Sequence, residues 1–384
     1  MKKSFLFFAV ILSALLFDLP LFAETYYWAG GGADANWTTA ENWRTGSEAG
    51  TVAAAYPTSG DTAFIAGDYT VTIDADITVA ALNIKKSGDT QYVGTDWTTK
   101  FTGSKKLSFG AMDFNRASST GGVIGTLEID CDSDCTGTLY THSGTKLLID
   151  GGNKLTTATL THTATNSIPK SLIQVDGTLQ AGAIDLQGGL NVGCNALKVS
   201  SGATVTATSL TWSANDNYTN TDYPAIDNAG TITLSGNLNA TGPASNTGTL
   251  KTTGGTLTFK SSVANTGTIS ATTGGVTFAG AVTGAGGTIS TTTGNITASA
   301  AAASSLGTVQ SSGGTISNTG SGAVTLAELQ MGADTSVTNS TGGALAITKL
   351  TGNRAAMLTG GTKDRKSTRL NSSHIATSRM PSSA

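Results

Sequence analysis

The sequence predicts an all-β fold: a right-handed parallel β-helix, or β-solenoid, of about 20 residues per coil with an aromatic-rich N-terminal cap. Three observations predict it. First, one short phrase recurs: Asn246-Thr-Gly-Thr-Leu250 returns as Asn265-Thr-Gly-Thr-Ile269, then in shortened form as Gly287-Thr-Ile289 and Gly307-Thr-Val309. The leading apolar residues are spaced 19, 20 and 20 apart. Second, further apolar clusters follow each leader at fixed offsets: Leu257 and Phe259, Val276 and Phe278, Ile296 and Ala298, then Ile316. A third set falls near offset 13 at Val263, Val282 and Ala302. Third, the apolar residues alternate with Thr, as in Thr256-Leu-Thr-Phe259, and Gly-Gly pairs punctuate the repeat. Alternation with period 2 belongs to strands, and Thr and Val are stiff at χ1 in a way that suits a pleated surface. A unit near 20 residues is too short to bury a core alone and does so by stacking on its neighbours.

Two stacks are therefore expected, Leu250–Ile269–Ile289–Val309 and Leu257–Val276–Ile296–Ile316, with coils ~4.8 Å apart. A disordered Gly/Ser/Thr tract has a similar composition but no reason to hold apolar residues in phase. A helical repeat needs Leu, Ala, Glu and Lys at 3.6-residue spacing, and those residues are scarce here.

Residues 1–23 are expected to be a secretory signal peptide. Lys2 and Lys3 precede an apolar run from Phe5 to Phe17, and Leu21-Phe-Ala23 closes the segment before Glu24. The clean run is ~13 residues, against the ~20 that a membrane-spanning helix needs. No Cys follows Ala23, so a lipoprotein anchor is not indicated.

Residues 24–67 form the expected cap. Tyr26, Tyr27, Trp28, Trp37 and Trp43 crowd into eighteen residues of a chain with 6% aromatics. The end of a solenoid exposes strand edges and an open apolar cross-section, which Tyr27, Trp28, Trp37 and Trp43 are suited to cover, each removing ~150–250 Å² from water. An aromatic platform for sugar rings is the rival use of the same residues. The order Trp28-Ala-Gly-Gly-Gly, Asn36-Trp37, Asn42-Trp43, Tyr56-Pro57, Gly60-Asp61 resembles the opening of bacterial exported β-helix proteins, adhesins and autotransporter passengers among them. The resemblance covers roughly residues 26–85, and its looser repeat texture extends to about 360. It implies export to the cell surface or medium and a role in display or adhesion.

The β-helix is expected over 68–362, most regular at 229–325. Tyr69, Val71 and Ile73, then Ile77, Val79, Leu82 and Ile84, read as its first strands. Lys100, Lys105 and Lys106 near Trp97 and Phe101 read as a solvated strand edge rather than a nucleic-acid surface. Cys131 and Cys135, four apart in an exported chain, form a candidate small-loop disulfide, with Cys194 left over as a buried thiol. Asp130, Asp132 and Asp134 alternate like the start of a calcium loop. The glycine needed at the sixth position is replaced by Cys135 and no Glu stands at the twelfth, so an acidic turn is expected. His142 and His162 are 20 apart, yet each stands at a different distance from its preceding Leu. A one-residue slip reverses inside and outside, so no stacked metal pair is expected. The stretch 212–228 breaks the periodicity and reads as a projecting loop. Its Trp212, Asp216, Tyr218, Asp222 and Tyr223 are the candidate ligand-binding residues, because loops on rigid scaffolds carry recognition and aromatics among Asp and Asn suit carbohydrate or protein partners.

Residues 363–384 carry five Lys or Arg and one acid, whereas 24–362 carry 15 basic and 23 acidic residues. The tail keeps no repeat and is expected to be non-native or disordered, so that the true chain continues past 362. Membrane anchoring is expected only through that further part, and the mature segment itself is expected to be soluble.

Composition limits chemistry. Only 12% of residues are charged, and 231–327 contain Lys251 and Lys260 alone. Glycan-cleaving sites need carboxylates, or a carboxylate with Arg or Lys, converging on one face. No nucleophile motif accompanies the histidines, and the Gly-rich matches are repeat punctuation rather than phosphate loops. The expectation is a non-enzymatic surface or secreted scaffold with no cofactor or metal, binding host or matrix protein or carbohydrate and not nucleic acid. The alternative is a polysaccharide lyase or hydrolase, which a cluster of Asp or Glu with Arg on one face of 85–230 would favour.

Overall fold

The computed structural model describes residues 23–65, 67–85, 96–115, 124–164, 172–188, 196–213, 224–284, 286–333, 335–339, 343–352 and 356–359. Among them the chain is all-β, with one 3-10 turn at Ala40–Asn42 and no α-helix. No helix among the described residues is long and apolar enough to cross a membrane. The strands make two sheets, one of 25 strands and one of 10. The pairings are parallel except at the N-terminal end, and each strand pairs with the equivalent strand of the next repeat, an arrangement compatible with a β-solenoid.

The alternation sets which side chains go in. Along Leu257–Phe259 and Val276–Phe278 the apolar residues are buried and the intervening Thr is partly exposed. The inward residues form one continuous apolar cluster running from Tyr26 to Val337. Both expected stacks exist in register: Leu250, Ile269, Ile289 and Val309 are successive Cα partners, as are Leu257, Val276, Ile296 and Ile316. Phe259 stacks on Phe278 at 5.3 Å and 10°. Several of the polar side chains that enter this interior pair with one another. Asn228 Nδ2 donates to Asn246 Oδ1 at 2.7 Å, and Asn246 Nδ2 donates to Asn265 Oδ1 at 2.8 Å, so the Asn of the repeated phrase forms an internal amide ladder.

Two expectations need correction. Ala302 does not extend the third stack; it is exposed, and Ser304 lies there instead, its Oγ accepting from the Val282 amide at 3.2 Å. The connection from Ala298 to Ser304 is five residues where the preceding ones are three, so the apolar phase slips by two. The 20-residue period also fails to hold along the whole stack. From Thr231 onward neighbouring rungs (levels of parallel pairing) lie 18–21 residues apart. Between Ile77 and Thr231 they lie 20–30 apart, as in Gly125 against Thr145, Ile77 against Leu107 or Thr204 against Thr231. The additional length sits in the connections after Ile84, Phe114, Ala164, Gly188 and Ser213.

At the N-terminal end Thr25–Trp28 pairs in parallel with Thr62–Phe64 but antiparallel with Trp43–Thr45, which pairs antiparallel with Thr51–Val52. The segment 35–37 crosses the free edge of the small sheet, with the Trp37 amide donating to Thr72 O at 2.9 Å and the Thr72 amide donating to Ala35 O at 2.8 Å. Trp37 and Trp43 are fully buried and meet edge-on at 4.8 Å, with Trp28 5.0 Å from Trp43. Trp43 Nε1 donates to Trp37 O at 2.8 Å, which satisfies an indole that burial would otherwise leave wanting. Tyr27 stacks on Phe64 at 5.1 Å. The faces of these rings are covered by protein.

Candidate functional site

Trp212 is not a ligand-facing residue. It belongs to the strand Thr204–Ser213, is 1% exposed, and has Leu186 and Ala240 as partners in the rungs on either side. Leu210 and Trp212 are two apart, so the same pleat turns both inward. The indole packs so closely on Gly242 that a Cβ there would come within 1.7 Å of the ring. Ile226–Asn228 is also a strand, which shortens the break. Asp216, Tyr218, Asp222 and Tyr223 lie outside the described residues, as does Cys194.

The Cys131–Cys135 disulfide is likewise corrected, because both are free, buried thiols. They face inward with Ser133 between them, and Cys131 Sγ lies 3.7 Å from Ser133 Oγ. Residues four apart along a nearly extended chain stand ~13 Å apart, well beyond the ~4.4–6.8 Å between Cα atoms that a disulfide spans. Burial pushes the Cys131 thiol up to about 11 and raises that of Cys135 as well.

The histidines take opposite faces, since Thr141 pairs with His162 and His142 with Thr163. His162 is buried with its Nδ1 2.7 Å from Thr141 Oγ1, and burial lowers its pKa from 6.5 to about 4. His142 points outward, and its Nε2 donates to Asp113 Oδ1 at 2.8 Å.

Charge on the outer surface gathers at two places in the first half of the stack. On the small sheet, Lys100 lies opposite Glu128 and bridges it, with Asp130 Oδ2 at 3.0 Å and Asp150 Oδ2 at 3.5 Å from Nζ. The Glu128 hydrogen bond raises the Lys100 pKa, and the Lys100 hydrogen bond holds the Asp130 carboxyl below its usual range. Asp150 is pushed up, first by burial and then by a hydrogen bond with Glu128 and its charge. The ammonium sits where a cation would, and among the described residues no three His, Cys, Asp or Glu side chains converge on a metal position.

On the large sheet, Asp113 is held from both sides, by Lys85 and by His142. Partial burial pushes its carboxyl up, but the hydrogen bonds and charges of His142 and Lys85 outweigh that and hold it low. Tyr140 is the direct partner of Asp113 in the next rung, followed by Thr161 and then Asp185. Tyr140 is 45% exposed, whereas the other aromatics among the described residues are buried or half-buried. Lys106 makes a further surface pair with Asp134 at 3.1 Å.

Sequence reasoning missed Asp113, Lys85 and Tyr140. The parity of Met112-Asp-Phe114 and Leu139-Tyr-Thr141 marks Asp113 and Tyr140 as outward. Their meeting depends on a 27-residue rung that no local signal announces. Comparison of the chain with family models, with curated proteins and with solved structures gave no match.

Proposed function

We propose that this chain is an exported, right-handed parallel β-helix that serves as a display scaffold at a cell surface or in the medium. It presents the outer face of its first half to a host or matrix protein or to carbohydrate. The observation that carries this reading is the division of labour along the stack. The repeats at 229–325 hold an unbroken apolar interior and only two charges, as a spacer requires. The long connections and the Asp113 and Lys100 clusters all lie before it. The signal-like residues 1–23 and the aromatic opening support export, and at about thirteen rungs of ~4.8 Å the stack would measure roughly 60 Å. Expression with residues 1–23 intact is expected to deliver the chain across the inner membrane with Glu24 as its new N terminus, and small-angle scattering is expected to report a rod of that length. Retention in the cytoplasm with residues 1–23 uncleaved would remove the export reading.

A polysaccharide lyase or hydrolase is the second reading, drawing on the convergence of Lys100, Glu128, Asp130 and Asp150. Against hydrolysis stands Lys100, whose ammonium fills the space between the carboxylates, pairing with Glu128 and lying 3.0 Å from Asp130 Oδ2 and 3.5 Å from Asp150 Oδ2, where a hydrolytic pair leaves ~5–9.5 Å for the scissile bond and water. Release of new reducing or unsaturated ends from polysaccharides by the purified chain, lost in Glu128→Gln, would put the second reading in place of the first.

A further inference from the structure

We propose that the outer face around Tyr140 is a binding subsite for a neutral polysaccharide. This rests on the display reading above and names the ligand class. Among the described residues Val52 and Tyr140 are the large apolar side chains left exposed, and Val52 sits on the two-residue edge strand of the cap. Tyr140 is different. It stands mid-sheet, in a column of outward residues that runs Asp113, Tyr140, Thr161, Asp185 over four consecutive rungs. Two residues along each strand a second outward column carries His142 and Gln187.

A sugar ring has one face of C–H groups and an equatorial rim of hydroxyls. It is held by an aromatic ring under the first and planar polar groups beside the second. The patch supplies both. Rungs ~4.8 Å apart and alternate residues ~6.7 Å apart give a surface about 15 Å long, room for two or three sugar units. Its polar groups are already fixed. Asp113 is gripped by Lys85 and His142, and Gln187 Nε2 donates to Asp185 Oδ2, so little side-chain freedom remains to be lost on binding. Each carboxylate keeps lone pairs for sugar hydroxyls, since two oxygens offer about four acceptor positions.

Charge decides the class of sugar. Among the described residues of the patch Lys85 and Asp113 cancel, and Asp185 adds a further carboxylate. Polyuronates and sulfated glycans are thereby disfavoured, and uncharged hexose polymers are not. The strand carrying Tyr140, Ser133–His142, is followed by a connection of only two residues, with Gly144 at φ 73°. The strands on either side, Leu107–Phe114 and Lys154–Ala164, are followed by connections of ten and seven.

The test is affinity electrophoresis of the purified chain in native gels that contain a soluble β-glucan, a mannan or a galactan, with polygalacturonate as the charged comparison. At least one neutral polymer is expected to retard the chain, and polygalacturonate is not. Tyr140→Ala should raise Kd at least tenfold, Tyr140→Phe should stay within about threefold because the ring and not the hydroxyl is used, and Thr277→Ala, far along the stack, should bind as the parent does. Thermal melts establish that each variant is folded, which an exposed position makes the expected result. Failure of every neutral polymer to retard the parent, or undiminished binding by Tyr140→Ala, overturns the subsite. Either outcome leaves export and rod length, measured separately, where they stand.

Discussion

Between Thr231 and Met331 neighbouring rungs lie about 20 residues apart, the connections from the large sheet to the small one are three residues until Ala298, and the charges at 229–325 are Lys251 and Lys260. Between Ile77 and Ser213 the rungs lie 20–30 residues apart, the connections run from two to twelve residues, and ion pairs gather around Lys85, Lys100 and Lys106. Yet one inner column crosses both regions without a break: Leu186, Trp212, Ala240, Phe259, Phe278 and Ala298 are successive partners. Its bulky and small members offset one another, Trp212 meeting Ala240 and Phe278 meeting Ala298, as close packing at fixed spacing demands. The lesson is that the interior sets the register and the connections absorb any length the interior cannot use. Variation that is costly inside is tolerated at the corners.

The sharpest way to break this comparison is excision. Removing 268–287 joins Gly267 to Thr288 and restores Asn265-Thr-Gly-Thr-Ile, so the shortened chain should fold with one rung fewer and a melting temperature lower by only a few degrees. Removing Thr211 alone, from inside the strand Thr204–Ser213, puts Leu210 and Trp212 on opposite faces and should abolish cooperative unfolding by circular dichroism.

A smaller effect separates inward from outward aromatics. Trp212→Ala should cost about 3–5 kcal/mol in urea denaturation, the loss expected for an emptied aromatic core site. Tyr140→Ala, on the outer face, should fall within about 0.5 kcal/mol of the parent.

Acid should act on one region only. The folded pKa of His162 is depressed to about 4, so the unfolded chain takes up the proton first. Stability is therefore full above about pH 6.5 and declines as pH falls towards 4, by about 3 kcal/mol in all. Hydrogen exchange at pH 4.5 against pH 7 should show faster opening around 141–163 and little change at 229–325, which contains no group titrating in that range. His162→Leu should remove most of the difference.

The smallest effect concerns Asp150. Its folded pKa is raised, so its contribution to stability is present at low pH and is lost as pH rises through the folded value. Asp150→Asn should gain up to about 1 kcal/mol at pH 7, a modest figure because the site is partly solvated, and nothing at pH 3.

How much of this was legible in the sequence follows the same division. Leu250, Ile269, Ile289 and Val309 could be aligned by eye because every intervening connection has nearly the same length. The amide ladder was half visible: Asn246 and Asn265 repeat in phase, but Asn228 opens Asn228-Ala-Gly-Thr231, a variant of the phrase that passed as part of a loop. In the first half, parity was readable within each strand and pairing was not. Asp113 and His142 lie 29 residues apart across a ten-residue connection, and nothing local measures that distance. Trp212 reads as the start of a loop because the polar-rich stretch Ser213 to Asn217 outweighs the two-residue step from Leu210.

The antiparallel strands at the N-terminal end have a consequence for how copies of the chain meet. A parallel stack is a template, and an open end offers the next strand the same pairing that its own neighbours use. Trp43–Thr45 and Thr51–Val52 present the opposite strand direction and a run too short to extend, while 35–37 occupies the edge of the small sheet. The parallel stack thus carries a stop at this end: repeats can be added within it while Trp43–Thr45 and Thr51–Val52 still present no further parallel edge.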